Sequence, residues 1–152
     1  MMNWLKRHAT AIQALTGLIT MIVAIAALVG VKLQIDASAR LQQEQSARDI
    51  YREFLNLSLS NPDFAEPDYC AMPAKQMPGY ESYVEYLLYT GEQMLDASAD
   101  WEPTLTRTLL SHRQYLCSER GAAADDPPQL RAFLNGFTEK QCAAWKAPCS
   151  ER

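Results

Sequence analysis

The stretch ATAIQALTGLITMIVAIAALVGV, residues 9–31, holds 23 residues without one charged side chain. As a helix it reaches roughly 35 Å at about 1.5 Å per residue, enough to cross a hydrocarbon core of about 30 Å. In that medium the backbone must satisfy its own hydrogen bonds, and a helix is the single-segment way to do so. Lys6, Arg7 and His8 stand at one end and Lys32 at the other, with Trp4 placed for the headgroup level. The stretch therefore predicts a transmembrane helix over 9–31, preceded by a short tail at 1–8.

The basic start and the Ala37-Ser38-Ala39 triplet raise a cleavable signal as the alternative. A signal's apolar region runs about 7–15 residues with a small-x-small site close behind. Here the run is longer, and Lys32, Gln34 and Asp36 intervene before the triplet. An uncleaved anchor is the expectation.

All 18 acidic side chains lie beyond Lys32, against 11 of the 14 basic ones, so the remainder carries about −7. That balance argues against a nucleic-acid surface, which needs clustered Lys and Arg to release counterions, and against a polybasic patch on anionic lipid. The expected partners are the lipid bilayer and a protein partner or a second copy. Lys6 and Arg7 lean the N-terminus toward the cytoplasm, a lean that Arg48 and Arg52 erase when they are counted. Four cysteines, Cys70, Cys117, Cys142 and Cys149, suit an oxidising compartment. Three pairings are open, and Cys142–Cys149 with Cys70–Cys117 is the first to test; four free thiols on the cytoplasmic side are the alternative. The balance slightly favours a periplasmic domain.

Residues 32–46 read as a polar helical stalk continuing the anchor. From residue 47 a soluble domain begins and runs to 152. Ala47, Ile50, Tyr51, Phe54, Leu55 and Ser58 follow the 3–4 spacing of an amphipathic face, and Pro62 ends the helix near Ser60. Four prolines predict an irregular connection over 61–79. A helix follows, with Tyr80, Tyr83, Val84, Leu87, Leu88, Gly91, Met94 and Leu95 on one apolar face and Tyr86 and Tyr89 widening it. Asp100 is the expected N-cap of a third helix with Trp101, Leu105, Leu109, His112 and Leu116 inward. Asp126-Pro127 opens a fourth carrying Leu130, Phe133, Leu134 and Phe137; Thr138 and Gln141 read as a capping box for a last one with Cys142 and Trp145. No stretch alternates with period two, so the fold class is all-α: an N-terminal transmembrane helix continuing into a stalk, then a small antiparallel helical bundle.

Chemistry is sparse. His112 is the sole imidazole of the domain, and no His-x-x-x-His or Cys-x-x-Cys pair offers a metal site. No nucleophile elbow and no glycine-rich phosphate cradle occur, so neither catalytic residues nor a cofactor are expected. Glu81, Glu85, Glu92 and Asp96 read as a solvated face. Two aromatic readings remain beside plain packing: Tyr86 and Tyr89 as an interaction surface, and Tyr83, Trp101 and His112 around a pocket.

The segments ARDIYREFLNLSLSNPDFAEPDY (47–69) and YVEYLLYTGEQML (83–95), with Trp101 and HRQYLCSER (112–120), resemble an uncharacterised family of small bacterial single-span membrane proteins carrying a helical domain of unknown function. The resemblance implies a helical fold and a bacterial inner membrane and supplies no site residues. The expected function is a non-enzymatic membrane-anchored interaction or scaffold module, an accessory subunit of a larger assembly. A membrane-tethered sensor or small-ligand-binding domain is the alternative.

Overall fold

The computed structural model describes the backbone of residues 2–143, and the side chains of residue 13 and of residues 15–143. The described residues form helices and turns with no strand, so the all-α expectation holds. By contacts the chain divides into two units, residues 1–42 and 43–152.

The first helix, α1 (Met2–Ser60), contains no proline anywhere along its 59 residues. It is long and apolar enough to cross a membrane. Every Leu, Ile, Val and Met from Leu15 to Ile35 is at least 50% exposed. Within the second unit the same helix turns Ala47 and Phe54 inward and buries both. It stops where Asn61 leaves helical dihedrals ahead of Pro62, as the proline's ring demands. The Asn61 backbone N–H and its side-chain amide both donate to the Leu57 carbonyl at 3.0 Å, satisfying one of the orphaned acceptors.

The connection expected to be irregular over 61–79 is more ordered than that. It holds a short helix, α2 (Pro62–Ala65), and a 3₁₀ turn, Tyr69–Ala71. Asp68 Oδ1 caps the turn by accepting from the Ala71 N–H at 3.2 Å, and Gln114 Oε1 takes the Tyr69 N–H at 2.8 Å. Pro62 and Pro78 each sit in a first helical turn, where the missing N–H costs nothing. Two of the four prolines thus open helices, Pro62 while also ending α1.

Helix α3 (Met77–Ala97) is the centre of the bundle and buries the full stripe from Tyr80 to Leu95. Gly91 lets α3 approach its neighbour closely: a Cβ there would lie 2.8 Å from Leu105 Cδ1. The third helix differs from expectation at both ends. Ser98, not Asp100, is the cap, its hydroxyl accepting the Asp100 N–H at 3.1 Å. A 3₁₀ turn (Ala99–Trp101) then leads into α4 (Glu102–Leu110). The helix breaks at Ser111 and His112 and resumes as α5 (Arg113–Tyr115) and a π-helical turn (Leu116–Arg120). The turn ends at Gly121, whose φ of 52° is costly for a residue with a Cβ.

The last helix, α6 (Pro128–Cys142), is uninterrupted through Thr138 and Gln141. The capping box expected there does not form: the Thr138 hydroxyl donates to the Asn135 carbonyl at 3.0 Å within the helix. Trp145 lies outside the described residues. Leu130, Leu134 and Phe137 face the core.

Candidate functional site

The middle of the bundle is an aromatic cluster, built because tyrosines at helical spacing on α3 meet rings from α1, α2, the Tyr69–Ala71 turn and the segment His112–Tyr115. Tyr80 contacts Phe64, Tyr69, His112 and Tyr115 with ring centroids 5.5–6.0 Å apart. Tyr83 meets Phe54, Phe64 and His112 at 5.4–6.0 Å. Tilted and edge-on contacts of this kind add to plain area burial.

Three polar groups are sealed into this cluster, and each has a partner. His112, 1% exposed, shares a 3.0 Å hydrogen bond through Nδ1 with the Tyr80 hydroxyl. The imidazole tautomer decides which of the two donates. The Tyr83 hydroxyl and Ser58 Oγ stand 2.6 Å apart. Burial disfavours charge on these groups, so His112 is pushed down to about 4. Tyr80 is pushed far above its ordinary range by burial, and Tyr115 to about 12 for the same first reason. At neutral pH His112 and Tyr80 are a neutral, hydrogen-bonded pair.

Of the expected pocket residues, Tyr83 and His112 come together, but in ring contact 5.7 Å apart rather than around a space. Trp101 lies half-buried elsewhere, edge-on to Tyr51 at 5.7 Å. The volume expected between the tyrosine helix and the third helix is filled by side chains. A proton-transfer group must reach its substrate, and a 1%-exposed imidazole among rings does not. Tyr86 and Tyr89 pack on one another at 6.5 Å on the outer face of α3, with the Tyr86 hydroxyl donating to Glu53 Oε2 at 3.4 Å. Tyr86 is half-buried and packs against the core, widening it as expected, whereas Tyr89 is 52% exposed and does not.

A second polar centre escaped the sequence reading. Arg120 Nε donates to Glu85 Oε1 at 2.6 Å, and its Nη2 to Asp126 Oδ1 at 2.7 Å. Asp126 Oδ2 accepts the Ala123 N–H at 2.6 Å, and Arg131 Nη2 donates to the Asp126 carbonyl at 2.6 Å. Burial raises the Asp126 pKa, but the hydrogen bonds from Arg120 and Ala123 outweigh it and hold the carboxyl below its usual range. Glu85, expected on a plain solvated face, is a partner of this node.

The cysteines pair differently from the arrangement favoured by the sequence, Cys142–Cys149 with Cys70–Cys117. Cys117 on the π-helical turn bonds to Cys142 at the end of α6, with Cα atoms 5.5 Å apart. That pairing removes both Cys70–Cys117 and Cys142–Cys149. The physical reason is the unbroken α6, which carries Cys142 back to the turn. Cys70 is also disulfide-bonded, and Cys149 lies outside the described residues. Among the described residues no group of His, Cys, Asp and Glu gathers to hold a metal.

One open groove, of about 410 Å³, lies between the start of α4 and the length of α6. Leu95, Phe133, Gly136 and Phe137 make its floor, and Glu102, Thr106, Gln129 and Lys140 its rim. The spacing 129, 133, 136, 140 is itself a helical stripe, a signal readable in the sequence beside the more apolar one at 130, 134, 137.

No family model, curated protein or solved structure matches this chain.

Proposed function

We propose that this chain is a membrane-anchored helical interaction or scaffold module, an accessory subunit of a larger assembly in a bacterial inner membrane, with its helical unit on the periplasmic side. One observation carries the proposal: every large aliphatic side chain from Leu15 to Ile35 is at least half exposed along an uninterrupted helix. In water such a surface is an aggregation hazard far larger than the patches soluble monomers tolerate. In a bilayer it is the correct solvent match.

The disulfide between Cys117 and Cys142, together with the bonded Cys70, supports the exported side, because structural disulfides persist in oxidising compartments. The filled aromatic centre supports a module that presents surfaces rather than a ligand pocket around Trp101 and His112. Chemical cross-linking in native membranes, followed by mass analysis of the solubilised product, tests the function. Capture of a defined assembly is expected; a chain that stays uncross-linked and monomeric contradicts it. A reporter fused after Arg152 reads the side of the membrane directly.

A further inference from the structure

Two glycines of the bundle stand in helix interiors for different reasons. Gly91 is explained within the chain, because a Cβ would collide with Leu105. Gly136 is not: a Cβ there would meet nothing within 4 Å among the described residues, and its φ is not positive. A glycine in a helix interior weakens the helix relative to alanine, and nothing among the described residues requires one at 136. Gly136 lies on the groove between α4 and α6, where it allows another backbone to come close.

The groove also has two electrically distinct ends. At one, Gln129 Nε2 reaches the Leu95 carbonyl at 3.5 Å, where the chain turns through Ala99–Trp101 into Glu102. At the other, Lys140 stands two residues before Cys142, which is tied to Cys117. Glu102 and Lys140 are both exposed, and neither forms an ion pair among the described residues. Between positions 129 and 140 the helix rises about 16 Å. A groove with an acidic end, a basic end and a bare glycine between them is complementary to itself about a two-fold axis, the symmetry that governs most homodimers.

We propose that the occupant of this groove is a second copy of the chain, with α6 of each copy lying antiparallel in the groove of the other. Gly136 is the crossing point, and Lys140 of each copy meets Glu102 of the other. This rests on the reading of the chain as an anchored interaction module and names its partner. Confinement to a bilayer raises the effective concentration of copies, so a modest interface suffices.

The test measures the mass of the full-length chain in detergent by light scattering over a dilution series. The wild type is expected to be a dimer. Gly136→Leu and Lys140→Glu should each raise the dimer dissociation constant at least tenfold, and Glu102→Lys with Lys140→Glu should return it to within about threefold of wild type. Far-UV circular dichroism checks that each variant is folded; should Gly136→Leu fail to fold, the charge pair still decides. A monomeric wild type overturns the inference, as does a dimer indifferent to Lys140→Glu or a double variant that stays dissociated. If the chain is monomeric in detergent while native-membrane cross-linking captures a different protein, the interaction-module reading survives and this inference alone falls.

Discussion

Along α1, residues 15–35 and residues 43–60 draw on the same aliphatic and small side chains and put them to opposite use. In the first stretch they face outward all round the helix; Leu28 is 71% exposed. In the second they are gathered on one side, where Ala47 and Phe54 fall to 1% and 2% exposure, while Arg48 and Arg52 on the other side make exposed ion pairs with Glu44 and Asp49. One unbroken helix thus carries two patterns: apolar all round, which suits lipid, and apolar on one stripe, which suits a packed core. Polar residues enter from Lys32 and the one-sided stripe begins at Ala47, with no residue between them that breaks the helix. The boundary between the two contact units, at Gln42, falls within that interval.

The comparison can be broken most forcefully by giving the first stretch the pattern of the second. Ile22→Arg with Ala26→Arg places two cations mid-span, each opposing insertion by about 2.5–3.5 kcal/mol. The variant should pass from the membrane pellet to the aggregated or soluble fraction on alkaline extraction. Unchanged retention would mean that the exposed stretch is not what holds the chain there.

In the second region the matching change is to empty the core. Leu87 is fully buried on α3, and Leu87→Ala should cost about 2–5 kcal/mol, the range for such cavities. Chemical denaturation of the detergent-solubilised chain, followed by tyrosine and tryptophan fluorescence, measures it. The equivalent Leu28→Ala should leave that transition within about 0.5 kcal/mol of wild type.

Loss of the Cys117–Cys142 bond comes next. It closes a loop with a sequence separation of 25. By loop-closure entropy its removal as Cys117→Ala with Cys142→Ala should destabilise the second region by about 3–4 kcal/mol. The same denaturation experiment, with and without dithiothreitol on the wild type, checks it.

Acid should act on the second region through His112. Its folded pKa is about 4, below an ordinary value near 6.5, so the unfolded chain takes up the proton first as pH falls. Stability is therefore full above about pH 6.5, declines as pH drops toward 4, and by linkage loses on the order of 3 kcal/mol. His112→Phe should remove that part of the slope. Smallest of all is Glu85→Gln: Glu85 is half exposed, and the loss should stay under about 1 kcal/mol.

How much of this was legible in the sequence follows from what each feature depends on. The buried stripes of α3 and α6 and the run at 9–31 depend on periodicity and composition, and those are local. The helix ends were harder, because a proline reads alike before and within a first turn; Pro62 and Pro78 turned out to open helices. Ser98 and Asp100 are both good caps, and only the fold shows which hydroxyl or carboxylate meets the N–H. The break at Ser111 and His112 leaves no local trace, since His112 still faces inward. The Arg120 node joins residues 35 positions apart, and the disulfide pairing depends on how far α6 continues. Tyr83 and His112 were rightly placed on inward faces. Whether inward means a pocket or a filled core is a question of ring volume that no spacing answers.

Membranes washed with alkaline carbonate and then treated with a mass-tagged maleimide, before and after reduction, examine both regions at once. The account predicts that the chain stays in the pellet and that Cys117 and Cys142 take up no tag until dithiothreitol is added. A chain found in the supernatant, or one tagged at those two cysteines without reduction, would contradict it.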